Sequence, residues 1–282
     1  MIELVNPQNN EEVNAFLLQN GESAQFLINN LREHGPKLNE HPNSGNFKAI
    51  KNEEGRIHGV FCLTRRGNLI IQSEIISPEI ILDACTQEHV KIKGFIGDWN
   101  SVEPVYLLFK ERNVTYKPSY ESKEILYSYI LTSSDLKLKH DSRVRFLEVD
   151  DFAQWLEFSN AYMSELSLPD NLSAEQKRKD FDSQVSHKIW WGLFDGKKLL
   201  SRAALNSKGD TTGQVGGVFT PKEHRQKGLA KAVMFHMLKD CRDLHRHTKS
   251  ILFTGEADMP AQKLYESMGY SRIGSFALIL GS

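Results

Sequence analysis

Two periods of apolar and polar residues run through this chain, one near two and one near four, and the switches between them predict its elements. From residue 143 onward the pattern predicts a strand at Val144 to Val149, helices at Phe152 to Glu165 and Ala174 to Gln184, and strands at Ile189 to Phe194 and Lys198 to Leu205. Asp195-Gly196 joins the last two as a hairpin turn. A strand at Gln214 to Thr220 follows, then a helix from Gln226 in which Leu229, Val233, Met237 and Cys241 recur every four residues. Ala230, Met234 and Leu238 widen that stripe into a face that packs on a sheet. Ser250 to Thr254 reads as a buried strand, Pro260 and Gly269 bracket a further helix, and Phe276 to Leu280 reads as a last strand.

The N-terminal half has a similar order: a helix over Glu11 to Asn30, strands around Phe47 to Lys51, Arg56 to Thr64 and Asn68 to Gln72, a helix at Pro78 to Thr86, and a strand at Ile92 to Ile96. In the helix after it, Val102, Val105, Tyr106 and Phe109 repeat the spacing of Ala261, Leu264, Tyr265 and Met268. Between the halves, Leu131 to Asp135 and then Lys137, Lys139, His140, Asp141 and Ser142 form a polar, turn-forming stretch that marks a linker. The expected organisation is therefore a domain at 1–131 and another at 143–282. The fold class is α/β of the α+β kind: a mixed, largely antiparallel sheet flanked by helices in the C-terminal domain, with a smaller N-terminal α/β domain.

At 282 residues the chain is long enough for two units with separate cores. Apolar content of 40% and charged content of 25% are those of a soluble globular protein. Lys+Arg 35 against Asp+Glu 36 gives no reason to expect nucleic acid or an anionic membrane as partner. No apolar run approaches the roughly 18 residues needed to span a bilayer, and Met1 to Asn6 lack a signal pattern, so the cytoplasm is the expected compartment. Cys62, Cys85 and Cys241 are scattered, which fits neither a disulfide framework nor a zinc site. His245 and His247 sit among Arg242, Arg246 and Lys249, which would oppose a cation, and no metal is expected.

The chemistry concentrates in Arg225-Gln226-Lys227-Gly228-Leu229-Ala230, between the strand ending Val218-Phe219-Thr220 and the helix that follows. A helix N-terminus offers N–H groups without intrahelical partners, at the positive end of the macrodipole, and so forms an anion site. Gly228 lets the backbone approach an anion, Ala230 keeps the next position small, and Arg225 and Lys227 add mobile positive charge. Neither the P-loop nor the dinucleotide fingerprint is present, which removes the main support for nucleotide hydrolysis and hydride transfer. The segment resembles the Gln/Arg-x-x-Gly-x-Gly/Ala signature of the GNAT superfamily of N-acetyltransferases, in which this loop holds the pyrophosphate of acetyl-coenzyme A.

A second segment resembles the same family. Asp258 to Tyr270 is similar to its Asn-x-x-Ala-x-x-Leu-Tyr-x-x-x-Gly-Phe pattern, with Tyr265 at the tyrosine that commonly acts as general acid for the departing thiolate. A phenol with a pKa near about 10 is protonated at neutral pH and can serve that role; read from the residues alone, Tyr265 is equally a core aromatic. Asp258 replaces the usual Asn and cannot donate an N–H. Lys263, on the opposite side of that helix, could reach a phosphate.

The resemblance implies direct transfer of an acetyl group from acetyl-coenzyme A to a primary amine, and likeness to the FR47-like branch implies a small-molecule amine or amino acid as acceptor. It also implies that backbone N–H groups of Val218 to Thr220, at a bulge, polarise the thioester carbonyl. An alkylamine is almost wholly protonated at neutral pH, so a base is needed. Glu256 is the first candidate and Glu165 the second, each with the alternative of a solvated loop carboxylate. Adjacent strand residues face opposite sides, so only one of Trp190 and Trp191 can line a pocket. The N-terminal half has no glycine between Ile70 and Lys91, so it lacks the cradle; it reads as a degenerate GNAT-like lobe. The alternative function is a non-catalytic acyl-coenzyme A sensor.

Overall fold

The computed structural model describes the chain except residues 76, 132–140, 169–171, 210 and 282. The predicted linker falls largely on 132–140 and lies outside the described residues. The first half contains β1 (Ile2–Leu4), α1 (Asn10–Gln19), α2 (Gln25–His34), β2 (Gly45–Lys51), β3 (Ile57–Thr64), β4 (Asn68–Ser73), α3 (Pro78–Thr86), β5 (Gly94–Asp98), α4 (Trp99–Arg112) and β6 (Tyr120–Ile130). The second contains β7 (Val144–Phe146), α5 (Phe152–Glu165), α6 (Ala174–Ser186), β8 (Trp190–Asp195), β9 (Lys198–Lys208), β10 (Thr212–Phe219), α7 (Leu229–Asp243), β11 (Lys249–Gly255), α8 (Met259–Ser267) and β12 (Ser271–Leu280).

Both halves thus run strand, two helices, three strands, helix, strand, helix, strand. Their ladders match as well: β1–β2, β2–β3 and β3–β4 are antiparallel and β4–β5 parallel, while β7–β8, β8–β9 and β9–β10 are antiparallel and β10–β11 parallel. This repeat is independent of the short tyrosine-helix spacing that first points to it.

The chain forms two compact units, and they do not follow chain order. One comprises Met1–Tyr127, Phe253–Met259 and Arg272–Ser282, the other Ser128–Leu252 and Pro260–Ser271. The last strand, expected to complete the C-terminal domain, instead pairs antiparallel with β5, Phe276 opposite Asp98 and Ile279 opposite Phe95. Within the first unit the order is β1-β2-β3-β4-β5-β12-β6, and within the second β11-β10-β9-β8-β7. Two strands, β1 and β6, lie outside the predicted set; β6 carries Glu121, Lys123 and Glu124, which mask its alternation. The single helix expected over Glu11 to Asn30 is two, because Asn20 Nδ2 donates to Phe16 O at 3.0 Å. A side chain at Gly21 would also meet the Leu18 carbonyl at 3.1 Å.

In the second unit the sheet carries α5 and α6 on one face and α7 on the other. Adjacent residues of β8 divide accordingly: Trp190 packs edge-on to Trp155 of α5, and Trp191 Nε1 donates to Asp240 of α7 at 2.8 Å. Both indoles are buried. On α7, Val233, Met234, Met237, Leu238 and Cys241 are fully buried. At about 1.5–3 kcal/mol for each large side chain, this stripe anchors the helix whose first turn forms the candidate site.

Candidate active site

Two irregularities of β10 create the site. Among the described residues, its parallel pairing with β11 runs from Thr212 opposite Lys249 to Gln214 opposite Ile251. Its ladder with β9 slips between Gly216 and Phe219, a bulge that removes Gly217 and Val218 from register. Gly217 adopts φ 57° to make that bulge. A Cβ there would lie 2.8 Å from the Trp190 ring, so the position needs glycine for two reasons. Val218 is half-buried, Phe219 and Thr220 buried. The Phe219 ring sits edge-on to Phe158 and Tyr162 of α5, at 5.7 and 6.0 Å between centroids.

After a short 3-10 turn at Lys222–His224, the backbone reaches α7 through two left-handed residues, Gln226 at φ 61° and Gly228 at φ 74°. The helix starts at Leu229, later than the pattern from Gln226 predicts, because these conformations cannot continue a helix. The first helical bond runs from Ala232 N–H to Gly228 O at 3.0 Å. Among the described residues, the N–H groups of Leu229, Ala230 and Lys231 therefore have no intrahelical acceptor. Alternating conformations of this kind gather backbone N–H groups into an anion-binding concavity. Gln226, Lys227 and Gly228 are exposed, and nothing lies within 4 Å of a Cβ placed on Gly228. The donors and the clear space fit a pyrophosphate.

Arg225 departs from its expected role as a mobile cation. Its Nε donates to Thr220 O at 2.8 Å, and its Nη2 donates to both Glu165 oxygens at 2.8 and 2.7 Å. It is a strut from the end of β10 to the end of α5. The same pairing holds the Glu165 carboxyl below its ordinary range, and with both oxygens engaged Glu165 is a poor proton acceptor. Lys227 Nζ donates to Glu223 O at 3.0 Å from an exposed position.

Tyr265 is buried on α8, its ring 6.0 Å from that of Tyr270. Tyr270 shares a 2.7 Å hydrogen bond with Ser250 on β11. Burial pushes the Tyr270 phenol far up, so that hydroxyl stays neutral. The helix ends at Ser267, and Gly269, φ 97°, lies just past its end as predicted, with Tyr270 N–H returning to Tyr265 O at 3.1 Å. Lys263 is exposed on the opposite face. A link the sequence did not reveal ties this helix to the cradle: Lys231 Nζ, in the first turn of α7, donates to Ser267 O at 2.9 Å and Ser267 Oγ at 3.1 Å. Its only signal was a lysine in a largely apolar helix.

Glu256 and Asp258 fall in the first unit. Glu256 is exposed, and Asp258 N–H closes a turn onto Gly255 O at 3.0 Å. In the first unit's own repeat, α3 opens with Pro78, which has no N–H to offer an anion. Tyr106, the counterpart of Tyr265, donates to Glu121 at 2.6 Å. Burial, and next that hydrogen bond, push its pKa up. Among the described residues no cluster of three or more His, Cys, Asp or Glu could hold a metal, and no helix is long and apolar enough to cross a membrane.

The chain is similar to known proteins in sequence over its second half and in fold along its length. Residues 153–270 match the Acetyltransferase (GNAT) family. The Uncharacterized N-acetyltransferase YsnE of Bacillus subtilis is 25% identical over 138 residues, 46% of this chain and 89% of that protein. A GCN5-related N-acetyltransferase from Sphaerobacter thermophilus superposes with TM-score 0.63 over 99% of this chain and 94% of its own, at 12% identity. A tandem GNAT protein from the clavulanic acid biosynthesis pathway does so with TM-score 0.53 over 100% and 98%, at 10% identity. At such identities these structures share the fold alone, but they share it along the whole chain. Residues 153–270 carry the pattern of the GNAT family, a family of acyltransferases.

Proposed function

We propose that the domain built on β7 to α8 transfers an acetyl group from acetyl-coenzyme A to a primary amine. The observation that carries this reading is the cradle, a left-handed turn at Gln226 to Gly228 opening onto the unpartnered N–H groups of Leu229 to Lys231. Gln226 to Ala230 would hold the pyrophosphate, with Lys227 and Lys263 as exposed cations beside it and Arg225 bracing the loop. Asp258 is a proposed coenzyme contact that accepts but cannot donate. Bound acetyl-coenzyme A would supply the activated thioester. The N–H groups around the bulge at Val218 to Thr220 are proposed to polarise its carbonyl.

Two proton movements remain. Glu256, exposed on the segment after β11, is the proposed base that takes a proton from the acceptor's ammonium. The Tyr265 hydroxyl is the proposed donor to the departing thiolate. The first unit, with a proline where the cradle would be, is proposed as a degenerate GNAT-like lobe without coenzyme.

Thiol release measured against a broad amine panel tests the reaction. Tyr265→Phe is expected to lower turnover by about a hundredfold or more, the usual worth of a general acid, with coenzyme A affinity nearly unchanged. Full turnover in Tyr265→Phe would remove the acid role, and silence of the wild type with every amine would remove the reaction.

A further inference from the structure

Arg202, on β9, is 2% exposed and has no carboxylate partner among the described residues. Both its hydrogen bonds use Nη1, to Trp155 O at 3.2 Å and Ser159 Oγ at 2.7 Å. Its Nε is buried with no acceptor, and so is the indole Nε1 of Trp155. The guanidinium carbon lies 4.6 Å from the Trp190 ring centroid and 5.7 Å from that of Trp155. Burial draws the Arg202 pKa down to about 9, which leaves it protonated at neutral pH. A buried charge without a counter-ion is strongly disfavoured, and contact with two indole faces offsets only part of that. Two buried donors in one cluster, one of them cationic, call for an anionic acceptor.

The cluster adjoins the proposed reaction centre. Arg202 stands opposite Phe219 across the β9–β10 ladder, on the α5 face, and Trp190 touches the position where Gly217 makes the bulge. A planar carboxylate matches the fork geometry of a guanidinium and accepts from two donors at once. We propose that Arg202 anchors a carboxylate of the amine acceptor, so that the acceptor class is an amino acid. This rests on the acetyl-transfer reading for the identity of the ligand, but not for the existence of the anion site. The indoles of Trp155 and Trp190 wall the anchor, and the strand residues Gly216 to Val218 beside the bulge are half-buried.

The test uses the full chain and a set of L-amino acids, each beside its own carboxamide, by calorimetry without coenzyme and by thiol release with acetyl-coenzyme A. At least one acid is expected to bind about tenfold or more tightly than its amide, the worth of a charge-assisted hydrogen bond. Arg202→Met should erase that gap, Arg202→Lys should keep part of it, and coenzyme A affinity should hold in both. Should Arg202→Met fail to fold, Trp155→Phe removes the second donor and should narrow the gap by itself. Equal binding of every acid and its amide overturns the anchor, as does a gap that survives Arg202→Met or a coenzyme A affinity that falls with the gap. Thiol release with amides as readily as with acids also overturns it, while leaving acetyl transfer intact. An acid preference in calorimetry with no thiol release from any amine leaves the anchor and removes acetyl transfer.

Discussion

Gly228→Ala separates what the cradle glycine does for the fold from what it does for the ligand. At φ 74° an alanine pays the left-handed penalty, about 1–2 kcal/mol. With nothing within 4 Å of the new Cβ, no packing strain is added. Gly196, in the hairpin turn between β8 and β9, is the matched control: φ 57° and again nothing within 4 Å. Gly196→Ala and Gly228→Ala should therefore lower the unfolding temperature alike, by about 2–4 °C per kcal/mol. Only Gly228→Ala places a methyl group in the space proposed for the pyrophosphate. Displacing the anion from one backbone donor costs about 1.5–3 kcal/mol, a loss of about tenfold to a hundredfold in affinity. Calorimetric titration of coenzyme A into both variants reads the difference. If both bind coenzyme A as the wild type does, the cradle is not where the pyrophosphate sits, however well the stabilities match.

Two further outcomes concern the struts around the bulge. Gly217→Ala adds the left-handed penalty to an overlap 2.8 Å from the Trp190 ring, together about 2–5 kcal/mol; an unfolding free energy from urea titration within about 1 kcal/mol of wild type would show that the bulge relaxes freely. Arg225 lowers the Glu165 pKa from its ordinary 4.5, so the pair stabilises the folded chain above that value and the gain is lost as pH falls through the folded pKa. Both side chains are over a third exposed, so the effect is under about 1 kcal/mol. Glu165→Gln should lower the melting temperature slightly near neutral pH, and by progressively less as pH falls below 4.5; a loss that does not shrink with pH would assign the effect to packing.

Local pattern carried most of the second half. The helix over Phe152 to Glu165 and the α7 stripe could be read residue by residue, because a buried helix face imposes its spacing on the sequence. The turn ahead of α7 was legible for a related reason: a glycine before a helix is a backbone requirement, and φ 74° at Gly228 is that requirement met. Arg225 was misread because nothing local separates a mobile cation from a strut; its partner Glu165 is on another helix. Arg202 gave no signal at all, since burial of a charge is decided by what packs over it.

By itself, the sequence determined the order of most elements, the glycine turn ahead of α7, the tyrosine helix and the absence of such a turn between Ile70 and Lys91, because each is set by residues within a few positions of one another. Tertiary structure alone decided that β12 pairs with β5, that Glu165 engages Arg225, that Lys231 ties α7 to α8 and that Arg202 is buried between indoles. Each of these joins positions far apart in the chain, where strand pairing and burial depend on the assembled sheet and leave no local period to read.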